Sequence, residues 1–374
     1  MIYLDNAATT QPYNEVIETI TDVLNNNWGN ASSNYDFGHQ SKEIIENVRD
    51  QIAEDINCDP EEIIFTSSGC EANSLAIGGM KHFGYEFFTT KMEHSSIIEA
   101  VPYLNKVHFV HNDRLGNVAP NMLYRTLKWN QIMRKNKPFV SIGGANSEIG
   151  TIQDVKALSN VVHHFDGIFH CDMTALYPHR RIDVKELGID MMTVSAQKFH
   201  ATEGVGFLYV KKGINLWPII YGAQENKLRG GSYNTALIAG MGRALDITRN
   251  RNNSYEHLRN KLLDGLLKIP GVKFNGPLVN KNRLENNISL TIDGVDAETL
   301  LTLCDITYGI CISKGSACHS YEKKPSNTLK AIGLSDKEAF ETIRITVGEM
   351  NTEQEIDDVL LIMPNLIEQV RKTS

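Results

Sequence analysis

Apolar residues recur along this chain with two different periods. Between residues 41 and 56, Ile44, Ile45, Val48, Ile52 and Ile56 share one face at helical spacing, which predicts an amphipathic helix. The same period predicts helices over 14–24 and 155–165, and a helical stretch over 235–267 with a break near Asn252-Asn253. Short apolar runs alternate with these helices at 62–66, 87–90, 107–110, 138–142, 168–171, 191–194 and 205–210. Each run is short and continuously apolar, as expected of strands covered on both faces, and strands alternating with helices predict a mainly parallel sheet. The chain opens with a short strand that breaks into the polar segment Asp5-Asn6-Ala7-Ala8-Thr9-Thr10. After Pro270 the texture changes to shorter strands and helices at 272–275, 287–292 and 297–303, followed by an alternating strand at 342–348. An α/β architecture is therefore expected, with a second, smaller α+β unit beginning near residue 253.

Composition narrows the function classes. With 374 residues, 41% apolar and 22% charged, the chain is globular and long enough for two or three domains. Its net charge of −8 and scattered Lys and Arg argue against direct nucleic-acid binding, which needs a basic face. No apolar run approaches the ~20 residues of a membrane span. The opening Met1-Ile2-Tyr3-Leu4-Asp5 lacks a basic region followed by an apolar core, so no signal peptide and a cytoplasmic location are expected. The six cysteines show no C-x-x-C zinc spacing and are expected as thiols, with Cys171 and Cys304 in apolar, inert surroundings.

Candidate chemistry sits at strand ends. Lys198 follows the predicted strand at 191–194, and Asp172 closes the one at 168–171. Ligands of open α/β sheets bind beyond the carboxyl ends of strands. A lysine that can form a Schiff base, together with a carboxylate that keeps a pyridine nitrogen protonated, is the pair that pyridoxal 5'-phosphate (PLP) requires. Ser67-Ser68-Gly69-Cys70-Glu71 turns from a strand into a helix, and such a turn offers backbone N–H groups to a phosphate. Cys318 lies among the small and polar residues of Ser313-Lys314-Gly315-Ser316-Ala317-Cys318-His319-Ser320. That is an odd place for a packing cysteine, and Lys314 and His319 would lower its pKa below the free value of about 8.5. Arg344, on an alternating strand, suits a substrate carboxylate. Each of these signals alone also has an ordinary structural explanation.

In their joint order, over essentially the whole chain, these motifs resemble the cysteine desulfurases, the NifS/IscS-like enzymes of the class V PLP-dependent aminotransferase family. Tyr3-Leu4-Asp5-Asn6-Ala7-Ala8-Thr9-Thr10, Gly29-Asn30-Ala31-Ser32-Ser33, Glu93-His94, Asn146-Ser147-Glu148, Arg229-Gly230-Gly231-Ser232, Gly315-Ser316-Ala317-Cys318 and Arg344 fall where that family carries functional motifs. The resemblance implies a PLP fold type I (aspartate-aminotransferase-like) with an N-terminal segment over 1–14, a large cofactor domain over 15–252 and a small domain over 253–374. It implies that Lys198 holds PLP, Asp172 pairs with the pyridine nitrogen, and His94 stacks on the ring and assists proton transfer. Gly69, Cys70 and Ser195 would hold the phosphate, and Ser232 would reach the neighbouring subunit's phosphate across a homodimer. Arg344 would clamp the carboxylate of L-cysteine. Cys318 would take its sulfur as a persulfide, releasing alanine, and pass it to an acceptor such as an Fe–S scaffold or a tRNA-thiolation enzyme. No intrinsic metal site is implied, although Cys318 could ligate an Fe–S cluster together with a scaffold.

The chain departs from the family pattern at Ser147 (usually asparagine), Ala175 (glutamine), Gln197 (histidine), Cys70 (threonine) and Glu349 (arginine). Two alternatives stay open at this point. One is another class V lyase or aminotransferase, which would need no nucleophilic thiol. The other is a degenerate paralogue serving as a binding or scaffold subunit.

Overall fold

The computed structural model describes residues 1–134, 136–251, 254–278, 282–314 and 324–373. Its described strands are β1 (Ile2–Tyr3), β2 (Ile63–Thr66), β3 (Glu86–Thr89), β4 (Val107–Phe109), β5 (Pro138–Ser141), β6 (Ile168–Asp172), β7 (Met191–Ser195), β8 (Gly206–Val210), β9 (Val272–Phe274), β10 (Asn287–Ile292), β11 (Ile310–Cys311) and β12 (Thr342–Thr346). Seven of them form one sheet in the order β2-β8-β7-β6-β5-β3-β4. The run β7-β6-β5-β3-β4 is parallel, as the alternation of strands and helices predicts. Almost every residue of β2, β3, β5, β7 and β8 is buried, because helices cover both faces.

One part of the sheet differs from the expectation. β8 runs antiparallel to both β7 and β2. Residues 196–205 between β7 and β8 are fewer than the dozen or so that a parallel crossover needs, so the chain turns straight back. The consequence is functional. Ser195 at the end of β7 pairs with Gly206, and Gly206 pairs with Thr66 at the end of β2. On the parallel side, Thr89 of β3 pairs with Ser141 of β5, which pairs with His170 of β6. The segments that follow β2, β3, β6 and β7 therefore all emerge along one edge.

Several helices are longer or more divided than their patterns suggest. One begins at Asp36 rather than 41 and runs Asp36–Ile56. The segment expected at 297–303 is a helix over Ala297–Tyr308, stopped by Gly309 at φ +62°. The stretch 235–267 is two helices, Thr235–Asn250 and Glu256–Leu266, and the expected break at 252–253 falls outside the described residues.

A second antiparallel sheet, β12-β10-β9, carries its own core, including Leu262, Leu290, Leu300, Ile343 and Val359. Leu4 belongs to that core, and β1 pairs parallel with β11, so the two ends of the chain meet here. Cys171 and Cys304 are both fully buried, in the first and second core respectively.

One buried ion pair braces the far edge of the large sheet. Arg49 donates to both carboxylate oxygens of Glu225 at 3.0 and 2.9 Å, and also to the Ile63 carbonyl at 2.6 Å. Glu225 begins a turn in which three successive non-glycine residues take positive φ, at 48°, 54° and 67°. Left-handed backbone costs roughly 1–2 kcal/mol per such residue, so the pair must hold the turn in place. Glu225→Ala would leave the buried guanidinium with only the half-exposed Glu46 at 3.0 Å and the Ile63 carbonyl. It is expected to lower unfolding free energy by about 3–5 kcal/mol, read as a lower urea midpoint.

Candidate active site

The shared edge opens into a cavity of about 780 Å³, closed on the other side by residues 6–8 and by the β12 region. Gly69, Cys70, His94, Ser147, Asp172, Ala175, Ser195, Gln197, Lys198 and Arg344 all line it. Ser232 does not: it is exposed, just past Gly231 at φ +109°. Cys318 lies outside the described residues.

Lys198 ends a single 3-10 turn after β7 and is half-buried. Its Nζ donates to the carbonyls of Ala7 at 2.6 Å and Ala8 at 2.5 Å. Gln197 holds the same segment, donating to the Ala8 carbonyl at 3.3 Å and accepting from Ser195 Oγ at 3.4 Å. Asp172 ends β6. Its Oδ1 accepts the Thr174 N–H at 2.9 Å and its Oδ2 accepts Asn73 Nδ2 at 2.8 Å. Two directed donors fix the carboxylate plane. Behind it His170 is fully buried between Ser141 Oγ and Thr193 Oγ1, and burial pushes its pKa down to about 4 despite the pull of Asp172.

His94 caps a short helix, and its Nδ1 lies 2.7 Å from Ser96 Oγ. Glu93 beside it accepts from Thr90 Oγ1 at 2.7 Å and from the Gly143 N–H at 2.8 Å. Burial lifts the Glu93 carboxyl to about 7, with the Asp172 charge adding to the shift. Arg344 is 3% exposed and its Nη2 donates to Asp5 Oδ1 at 2.7 Å, so its guanidinium is already turned by a carboxylate. Its backbone forms an antiparallel bridge with Ser313, five positions before Cys318 in sequence. Glu349 pairs with Arg251 at 2.9 Å and faces His200 at 3.8 Å.

A model of the class-V aminotransferases, described as "Aminotransferase class-V", matches residues 2–359. The chain belongs to that family. Among its relatives is a protein named cysteine desulfurase IscS from Clostridium botulinum, 36% identical over 387 residues, covering all of this chain and 96% of that one. A solved NifS-like protein from Rickettsia africae superposes with a TM-score of 0.89 at 30% identity, covering 98% of this chain and 99% of that one. A third, titled SspA in complex with cysteine, superposes with a TM-score of 0.82 at 27% identity over 94% of this chain and all of that one.

Class-V enzymes use PLP, and the cavity of this family member fits it. Asp172 and Lys198, which both line the cavity, are the carboxylate and amine that would hold the ring nitrogen and the aldehyde. At the start of the helix Gly69–Met80, Gly69 leaves a hollow: a Cβ there would lie 3.2 Å from Ser195 Cβ and 3.3 Å from Thr174 Oγ1. The Thr174 hydroxyl is buried with no partner among the described residues, as a donor awaiting an anion would be. Gly206 has the matching role beneath the turn, since its Cβ would meet the Val194 carbonyl at 2.6 Å and Gly69 N at 3.3 Å. The Cys70 thiol at the same turn is exposed. Sequence reasoning overlooked Asn73, Ser96 and Thr174. A polar Asn73 at helical spacing from Ala76 and Ile77 was the available signal.

Glu93 generates a pH prediction. Its folded value of about 7 stands above the ordinary 4.5, so between those values the native state holds a proton that the unfolded chain has lost. Stability then falls as pH rises through that window and stays lower above it. Glu93→Gln keeps an acceptor for Gly143 and a donor for Thr90 without the charge. It is expected to stabilise the cofactor-free protein by about 1–3 kcal/mol at about pH 8 and by much less near pH 5, measured by urea unfolding at both.

Proposed function

We propose that this chain is a PLP-dependent cysteine desulfurase that converts L-cysteine to L-alanine and leaves the sulfur as a persulfide on Cys318. The observation that carries the reading is Lys198 and Asp172 on adjacent strand ends, in one cavity with Arg344, whose strand is bridged to the base of the Cys318 segment. Bound PLP supplies the electron sink that weakens the bonds of the substrate carbon skeleton. Asp172 keeps the pyridine nitrogen protonated, and Asn73 and the Thr174 N–H keep Asp172 oriented. Arg344 takes the substrate carboxylate, sharing its guanidinium with Asp5. The Cys318 thiolate attacks the substrate sulfur. A sulfur–sulfur bond forms, the Cβ–S bond breaks, and its electron pair returns to carbon, which is protonated to give alanine. The solved relative titled in complex with cysteine supports this substrate class.

The sulfur then passes to an acceptor protein, an Fe–S scaffold or a tRNA-thiolation enzyme, where Cys318 can also serve as a cluster ligand. We read residues 15–252 as the unit that carries the cofactor, 253–374 as the unit that carries the thiol segment, and 1–14 as packing on the latter. The working form is a cytoplasmic homodimer in which Ser232 completes the partner's phosphate site. An exposed apolar run supports the dimer: Trp217, Ile219, Ile220 and Tyr221 are 53%, 38%, 40% and 79% exposed, on the segment that leads to Ser232. A degenerate scaffold paralogue is disfavoured by the intact set of Lys198, Asp172, His94 and Arg344 in one cavity.

Cys318→Ser is expected to bind cysteine with the visible spectral change of the cofactor but to form no persulfide. Alkylation and mass mapping of the wild type should place the persulfide on Cys318. A persulfide mapped to Cys70 or Cys311 would refute the assignment.

A further inference from the structure

The helix Gly69–Met80 packs Ala72, Leu75, Ala76 and Ile77 into the interior, yet it also buries Asn73 to 1% exposure. Asn73 spends both amide hydrogens at the cavity: Nδ2 donates to Asp172 Oδ2 at 2.8 Å and to Ser96 Oγ at 2.9 Å. Its Oδ1 is buried with no hydrogen-bond partner among the described residues. The amide cannot turn over to relieve this, because its oxygen would then face the Asp172 carboxylate.

Ser96 Oγ accepts from Asn73, so its single hydrogen is left for His94 Nδ1 at 2.7 Å. The Ser96 backbone N–H, which can only donate, points at the same nitrogen at 3.2 Å. Both donors require an unprotonated Nδ1, which puts the proton of neutral His94 on Nε2.

We propose that Asn73 and Ser96 form a polar relay that ties the Asp172 carboxylate to His94 and fixes His94 as the Nε2–H tautomer. Neutral His94 then presents a hydrogen-bond donor, not a base, to the rest of the cavity. Asn73 and Ser96 are positioning residues. They set the plane of Asp172 and the ring of His94 together, so a disturbance at either end is felt at the other. The relay's part in catalysis rests on reading the cavity as the PLP site; its hydrogen-bond content does not depend on sulfur chemistry.

The test uses the full-length, PLP-loaded protein labelled with [15N]histidine, with the His94 resonances assigned by comparison with His94→Gln. The expected wild-type spectrum shows Nδ1 as a hydrogen-bonded acceptor and Nε2 carrying the proton. Ser96→Ala should move the Nδ1 resonance and lower kcat about 2- to 10-fold with KM for cysteine little changed. Ser96→Thr, which keeps the hydroxyl, should restore both. Asn73→Ala, which does not touch His94, should also move the His94 Nδ1 resonance and weaken PLP binding about 2- to 10-fold or more. A protonated Nδ1 in the wild type would overturn the proposal. So would a His94 spectrum unmoved by Ser96→Ala, a measurement that stands even if Asn73→Ala does not fold. If the tautomer and its response to Ser96→Ala are as expected but cysteine yields no alanine, the relay stands and the functional reading fails.

Discussion

A carboxylate at the end of a buried strand stays ordered only where donors replace the water it has lost. Asp172 meets that condition with the Asn73 amide on one oxygen and the Thr174 N–H on the other, while the cavity lies open beside it. Burial governs the groups around it. His170 behind it stays neutral through burial, bracketed by two hydroxyls. Glu93, in the same field and also desolvated, resists ionisation up to about pH 7. Asp172 and Glu93 thus differ within one cavity: two directed donors hold the first, while burial keeps the second protonated up to about pH 7.

The sheet puts the other groups within reach of Asp172. Because β8 doubles back against β7 and β2, the turn at Gly69, the end of β6 and the Lys198 turn share one edge. The N-terminal segment then closes the arrangement. Leu4 is fixed in the second core, Asp5 turns Arg344, Ala7 and Ala8 receive Lys198, and the Thr10 N–H donates to the Gln197 carbonyl at 2.9 Å. A few successive residues thus join the second sheet to the lysine. Gln197 takes part in the same stitch by donating to Ala8.

Strand positions were readable because each run is apolar and short: β10 occupies the predicted 287–292, and the parallel strands differ from expectation by a residue at most at each end. The antiparallel return of β8 was not readable, because periodicity fixes where a strand lies and not its direction. Lys198, Asp172, Gly69 and Ser195 were legible as strand-end and turn residues of the right chemistry. Asn73 and Ser96 were not, because their roles depend on contacts across 99 and 23 positions of sequence and on which atom of each group donates. Asp5 was legible only as part of an opening motif; its partner Arg344 lies 339 positions away.

The central claim is that this cavity uses PLP to remove sulfur from cysteine with the carbon skeleton reduced to alanine. It is tested most directly by incubating the purified protein, with PLP and a reducing agent, with L-cysteine and quantifying alanine and sulfide in the same reaction. The account predicts that both appear in equal amounts. Sulfide without alanine, or neither product from protein shown to carry PLP on Lys198, would contradict it.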